Sequence, residues 1–130
     1  MISVDTNILV HILTKDDELQ LRKALLQFEN NEVFIADTVI LETEWVLRYA
    51  YEFSSLEINQ ALVRLLGLQQ VHLSHPRQMA DALAWHKQGL DFADALHLAC
   101  SSAQDTFMTF DKALITKAQR LNLSPKVQAP

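Results

Sequence analysis

Glycine is scarce in this sequence, where Gly67 and Gly89 are the only two among 130 residues. A phosphate-binding P-loop needs two glycines five positions apart, and a dinucleotide-binding turn needs three glycines within six positions. Neither motif can be written with glycines 22 positions apart. Nucleotide binding through a glycine-rich backbone loop is therefore excluded.

Cysteine is rarer still, since Cys100 is the only one. An internal disulfide is impossible, and the five histidines show no zinc-ligand spacing. We expect Cys100 to be a small core residue. A chain without disulfides fits the reducing cytoplasm.

Positive charge and long apolar runs are also lacking. The formal net charge at pH 7 is −5, the wrong sign for a broad basic surface that binds nucleic acid. A polyanionic ligand would have to be bound through local positive charge or through bound cations. No apolar run approaches the ~18 residues of a membrane span, and no secretory signal pattern is seen, so we expect a cytoplasmic protein without a membrane partner.

Short apolar runs alternate with longer helical patterns along the chain. Strands are predicted at 1–4, 33–36, 70–73 and 106–110, with a short final strand around Val127. Helices are predicted from Thr6 and at 17–30, 37–51, 54–67, 76–88, 91–104 and 112–121. Asp37 or Thr38 can cap the helix that runs to residue 51, and Ser54 and Glu57 form a capping box that opens the next helix. Because strands separated by helices pair in parallel, the sequence predicts an α/β sandwich in one domain over 1–130. Its central parallel sheet would have four to five strands flanked by helices.

Acidic residues follow two of the predicted strands. Asp5 comes directly after the first strand and Asp111 after the fourth. Ligands of open parallel sheets bind beyond the carboxyl ends of the strands, so both acids are expected at one sheet edge. Each could also be the N-cap of the helix that follows it.

Glu42 is a third candidate, on a helical face that it shares with Val39, Trp45 and Val46. A carboxylate among apolar residues is costly without a partner, and Glu42 has none one turn away. Glu44, in contrast, can form an ordinary surface ion pair with Arg48. The pattern therefore favours a functional role for Glu42.

Asp91 and Asp94 lie three positions apart, which puts two like charges on one face of a largely apolar helix. Such carboxylates near a core need a cation or a proton between them, although Asp91 could instead be an N-cap. Clustered carboxylates suit a hard cation such as Mg²⁺ or Mn²⁺. Such an ion would also supply the positive charge that the chain lacks.

Four segments around these acids resemble a PIN-domain ribonuclease, and specifically the VapC toxin of a type II toxin–antitoxin pair. They are 2–9 (ISVDTNIL), 39–48 (VILETEWVLR), 91–99 (DFADALHLA) and 107–111 (FMTFD). They occur in the family's order and span nearly the whole chain. The resemblance implies a parallel sheet flanked by helices and endonucleolytic cleavage of RNA that depends on Mg²⁺ or Mn²⁺.

The resemblance also implies roles for individual residues. The catalytic acids would be Asp5, Glu42, Asp94 and Asp111, with Asp5 and Asp94 as the main metal ligands. Supporting residues would be Thr6, Thr109 and Asp91. It further implies a homodimer and a VapB-type antitoxin that blocks the acidic pocket.

Other side chains permit more than one interpretation. His97, one turn after Asp94, could assist the site or simply pack at the surface. Three cations of the last helix could hold phosphates or form a solvated face: Lys112, Lys117 and Arg120. Four aromatic residues could stack RNA bases, although we expect core packing: Trp45, Tyr49, Tyr51 and Trp85.

Three rival functions can be compared with the sequence. A haloacid-dehalogenase-like phosphatase needs a second aspartate two positions after the first, where this chain has Asn7. A non-catalytic receiver-like module would have only Asp37 as its phosphorylation site and would leave Glu42 and Asp94 unexplained. A PIN nuclease that processes RNA without an antitoxin remains open, although the chain's length favours the toxin.

Overall fold

A computed structural model describes all 130 residues, which form seven helices and five short strands. The helices are α1 (Thr6–Thr14), α2 (Glu18–Asn30), α3 (Asp37–Tyr49), α4 (Ser55–Leu66), α5 (Pro76–Lys87), α6 (Phe92–Cys100) and α7 (Lys112–Arg120). The strands are β1 (Ile2–Ser3), β2 (Val33–Phe34), β3 (Val71–His72), β4 (Thr106–Met108) and β5 (Lys126–Gln128). The chain is divided into two compact units, the N-terminal unit Met1–Pro76 and the C-terminal unit Arg77–Pro130.

Every strand pairs in parallel, as the alternation of strands and helices predicts. The N-terminal unit holds a three-stranded sheet in the order β1-β2-β3, in which Val33 is paired with both Ile2 and Val71. The C-terminal unit holds the pair β4-β5, with Phe107 opposite Val127. The α/β class and the parallel sheet flanked by helices are therefore confirmed. Hydrogen bonding divides the five strands into three and two, so strand pairing does not put Asp5 and Asp111 at one sheet edge.

The helix termini are largely explained by capping. Ser54 accepts from the Glu57 amide at 3.1 Å, and the Glu57 carboxylate accepts from the Ser54 amide at 2.9 Å, so the predicted capping box is confirmed. The cap predicted for α3 is wrong. Ala36 occupies the N-cap position without a side-chain bond, and Asp37 and Thr38 lie inside the first turn.

The buried side chains of α6 in the C-terminal unit are all apolar: Phe92, Ala95, Leu96, Leu98 and Ala99. This helix ends at Cys100, before the predicted end at 104. The expectation of a buried thiol is wrong, because Cys100 is exposed. Across the whole chain, no helix has both the length and the apolar character needed to cross a membrane.

Candidate active site

Asp5 lies between β1 and α1, where it is the N-cap of the helix. Its Oδ1 atom accepts a hydrogen bond from the Thr6 amide at 2.7 Å. Capping satisfies one of the amides that every helix leaves without a partner at its N-terminus. It occupies one of the two carboxylate oxygens, so the cap interpretation is confirmed without conflicting with a ligand role for the other oxygen. Asp5 itself is exposed.

Thr6 connects Asp5 to a second predicted acid. Its hydroxyl donates a hydrogen bond to Glu42 Oε1, across 36 positions of sequence. Thr6 is only 7% exposed, so this hydroxyl is held in place by its surroundings. The contact brings Asp5, Thr6 and Glu42 together in the N-terminal unit, at the N-terminus of α1 and on α3.

The predicted pair of Glu44 with Arg48 is confirmed, but the predicted environments of the two glutamates of α3 are exchanged. Glu42 is exposed, whereas Glu44 is only 2% exposed. Glu44 accepts two hydrogen bonds from Arg48, at 2.9 Å from Nε and 3.2 Å from the terminal nitrogen. A buried carboxylate is tolerated when it is paired and hydrogen-bonded in this way. Glu42 therefore remains a candidate site residue because it is exposed and is bound by the Thr6 hydroxyl. The apolar environment that first suggested a role is absent.

Asp94 lies in an environment that disfavours its charged form. It is half-buried in the first turn of α6, and its pKa is raised above the ordinary 3.8 by burial, then by the negative charges of Asp91 and Asp111. His97 and Lys117 oppose this rise with positive charge. Three acids of the C-terminal unit therefore lie within electrostatic reach of one another, which is the arrangement that a bound cation relieves.

Asp91 and Asp111 both act as caps. Asp91 accepts from the Asp94 amide at 3.3 Å as the N-cap of α6, which confirms the capping alternative for this residue. Asp111 accepts from the Leu114 amide at 3.1 Å as the N-cap of α7. Thr109 Oγ1 accepts from the Asp111 amide at 3.0 Å. The threonine thus contacts the backbone of Asp111, a local turn that can hold this acid in position.

Nearby positive charge is limited. Lys117 donates to the Gly89 carbonyl oxygen at 3.2 Å, and its charge reaches Asp94. Lys112 and Arg120 are exposed at the two ends of α7. His97 is exposed and affects Asp94 through its charge alone. Of the cations predicted to assist the site, Lys117 and His97 are the two with a described effect on a candidate acid.

The residues present suit Mg²⁺ better than a metal ion that is bound by protein ligands alone. No group of three or more His, Cys, Asp or Glu side chains is arranged to hold a metal ion. Mg²⁺ does not need such a group, because it keeps several of its waters and is usually bound by one or two carboxylates together with substrate phosphates. The donors are carboxylate oxygens, and Asp94 already carries an excess of negative charge around it. These observations fit a hard divalent cation.

Aromatic residues on α3 were missed as surface features. Trp45 is 55% exposed and Tyr49 is 61% exposed, so the prediction of core packing is wrong for both. Tyr51 and Trp85 are half-buried, and the Tyr51 hydroxyl donates to Asp16 Oδ2 at 2.7 Å. Phe110, directly before Asp111, is 86% exposed. No signal in the sequence separates these exposed aromatic residues from buried ones, because an aromatic residue has the same hydrophobicity in either place.

Comparison with known proteins identifies the family. A search of curated proteins found no match. The sequence profile of the PIN domain matches residues 2–120, a range that covers most of both compact units and includes every candidate acid. PIN domains are generally nucleases, which supports a phosphodiester hydrolase. Since the match covers most of its length, the chain belongs to the PIN domain family.

Proposed function

We propose that this protein is an Mg²⁺- or Mn²⁺-dependent endoribonuclease with Asp5, Glu42, Asp94 and Asp111 as its catalytic acids. The observation that carries the proposal is the half-buried Asp94, whose pKa is raised by burial and by two neighbouring carboxylates. A group perturbed by burial and by specific charges is a candidate for function. Because PIN domains are generally nucleases, we infer that Asp94 takes part in phosphodiester cleavage.

In this proposal Asp5 and Asp94 are the metal ligands, and Glu42 and Asp111 are the further catalytic acids. When bound, such an ion activates a water molecule and stabilises negative charge on the leaving oxygen. The assignment of Asp5 and Asp94 to one reaction rests on the family resemblance of their segments. The oxygen-only donor set agrees with it.

The protein's own residues have the task of positioning. The Thr6 hydroxyl fixes Glu42 Oε1, while the Thr6 amide fixes Asp5 Oδ1, so one residue orients two acids. The Leu114 amide orients Asp111 in the same way. Because these bonds exist before any substrate binds, the acids need little rearrangement on binding, which lowers the cost of reaching the transition state.

Cleavage of a mixed-sequence RNA by purified protein tests this function. Activity should stop with EDTA and return with Mg²⁺ or Mn²⁺. It should fall by at least about 100-fold in Asp5→Asn and Asp94→Asn, in keeping with the loss of a charge-stabilising group. Asp105→Asn is a matched control, since Asp105 is an exposed aspartate outside the candidate site. Robust cleavage by Asp5→Asn or Asp94→Asn would rule out the proposed site, and a protein that binds RNA without cleaving it would be a non-catalytic module.

We further propose that the protein is the toxin of a toxin–antitoxin pair, working as a cytoplasmic homodimer that a VapB-type antitoxin inhibits. The four segments that resemble VapC toxins support this role. Expression alone should then arrest growth, and co-expression of the antitoxin should relieve the arrest. Sedimentation of the purified protein tests the homodimer. Harmless expression of a protein with demonstrated ribonuclease activity would favour RNA processing without an antitoxin.

A further inference from the structure

The most exposed aromatic residues of the N-terminal unit form one surface on α3. The Trp45 and Tyr49 ring centroids are 5.1 Å apart, with the ring planes at 48°. The Arg48 guanidinium carbon lies 4.8 Å from the Tyr49 centroid. We call these three residues, Trp45, Arg48 and Tyr49, the stacking surface.

The stacking surface is on the same helical face as Glu42. Trp45 and Tyr49 follow Glu42 by three and seven positions, the spacing of residues on one side of an α-helix. At 1.5 Å per residue, the backbone positions of Trp45 and Tyr49 lie about 4.5 Å and about 10.5 Å along the helix axis from that of Glu42. A polynucleotide bound along this face of α3 beside Glu42 would therefore have neighbouring bases within reach of both rings.

The buried Glu44 holds a guanidinium in position on this surface. Its two hydrogen bonds hold the Arg48 guanidinium, and 36% of the Arg48 side-chain surface remains exposed. Arginine stacks on aromatic faces and also interacts with phosphate. The ion pair thus holds a guanidinium beside two exposed rings. The chain has few other cations near its acids.

We propose that the stacking surface binds the bases of single-stranded RNA next to the site of cleavage, an inference that rests on the proposed function. Proteins bind unpaired nucleotides by stacking bases on aromatic rings and arginine, and every base offers a π-face. The surface is small for a protein partner. At 55% and 61% exposure, two rings of about 150–250 Å² each offer about 170–290 Å², whereas a stable interface buries about 800 Å² on each side.

Tryptophan fluorescence provides a direct test, because Trp45 and Trp85 are the only tryptophans. In a Trp85→Phe protein, emission reports Trp45 alone. Adenine and uridine octaribonucleotides, added in EDTA to prevent cleavage, should quench that emission. An octamer with the same phosphates but no bases should leave it unchanged. Equal quenching by the abasic octamer would overturn stacking and leave only phosphate binding.

Substitutions then separate stacking from general apolar contact. Trp45→Leu and Tyr49→Leu keep an apolar side chain but remove the ring, and each should raise the Kd of a labelled octamer about 5- to 150-fold. Trp45→Phe keeps a ring and should stay within a few-fold of the wild type. Leu56→Ala is the matched control, since Leu56 on α4 is also 55% exposed and should not affect the Kd. Far-UV circular dichroism verifies that each variant folds.

The remaining outcomes distinguish this inference from the proposed function. If the leucine variants bind RNA as the wild type does, the inference is wrong, even when cleavage still depends on Asp5. If the leucine variants change the sedimentation coefficient from that of a dimer to that of a monomer, the surface binds a second copy of the chain, and the inference is wrong. If the wild type binds octamers through both rings but never cleaves RNA with Mg²⁺ or Mn²⁺, the proposed function fails, while base stacking on the two rings is supported without a neighbouring site of cleavage.

Discussion

Asp94→Asn should make the metal-free protein more stable while it destroys activity. The pKa of Asp94 is higher in the folded chain than its ordinary 3.8, because of burial and of Asp91 and Asp111. The stability that the protonated carboxyl contributes is complete below that ordinary value. It is lost as the pH rises through the higher folded pKa. At pH 7 the ionised Asp94 therefore costs stability, and asparagine removes this cost.

The size of the effect follows from the neighbouring charges. At partly exposed positions each like charge costs on the order of 0.2–1 kcal/mol, and salt screens it. His97 and Lys117 offset part of this cost, as does the favourable interaction of Asp94 with the helix N-terminus. We expect a net gain of up to about 1 kcal/mol for Asp94→Asn in EDTA. This corresponds to a rise in Tm of roughly 2–5 °C for a domain of this size.

Divalent cations should reverse the order of the two proteins. A ligand at 100 times its Kd stabilises the folded state by about 2.7 kcal/mol, and Asp94→Asn should lose most of that gain. Thermal unfolding followed by circular dichroism, in EDTA and then in saturating Mg²⁺, measures both effects. Asp105→Asn should behave as the wild type in both buffers. A lower Tm for Asp94→Asn in EDTA, or equal stabilisation of both proteins by Mg²⁺, would refute the reasoning.

Three further outcomes follow from described contacts. Thr6→Val removes the hydroxyl that donates to Glu42 and should lower kcat by about 10- to 100-fold with a folded protein; unchanged kcat would exclude a positioning role. Ser54→Ala removes one bond of the α4 capping box and should cost about 1 kcal/mol in urea unfolding while cleavage stays normal. Asp16 has its pKa lowered to about 2, chiefly by the Tyr51 hydroxyl, so its stabilising effect is lost as the pH falls from about 4 to about 2. Asp16→Asn should therefore flatten acid unfolding in that range, and an unchanged acid transition would contradict this assignment.

Much of the fold could be predicted from the sequence, because local signals agree with the tertiary structure. The alternation of apolar runs and helical patterns predicts the parallel strands of both units. The residues around Ser54 and Glu57 predict a capping box that the structure contains. Asp5 and Asp111 were identified both as strand-end acids and as possible caps, and each is an N-cap.

Helix α3 shows where the sequence was insufficient. Hydrophobic spacing predicted a face with Val39, Trp45 and Val46 in the core, but the fully buried positions are Ile40, Thr43, Glu44 and Leu47. Two of these four are polar, and each becomes tolerable only through a bond: Thr43 donates to the Val39 carbonyl oxygen, and Glu44 accepts from Arg48. A count of apolar residues ignores such bonds. The prediction therefore placed the wrong face of α3 in the core, and with it the aromatic residues that the structure exposes.

The division of the strands into two separately hydrogen-bonded sheets could not be predicted from the sequence either. Strands of two or three residues carry too little pattern to specify their neighbours, so pairing is decided by the packing of the helices. The grouping of Asp94 with Asp91 and Asp111 likewise depends on where α7 begins relative to α6. Sequence spacing alone could bring together only Asp91 and Asp94.

The caps formed by Asp5 and Asp111 have a consequence for how such a nuclease can change. Asparagine caps a helix about as well as aspartate does, but it carries no charge. One base change in the codon of either residue would therefore give a chain that folds normally and has lost an acid of the site. Such a chain could still occupy the partners of the active protein. Inactive, folded copies that compete with the nuclease are thus only one mutation away.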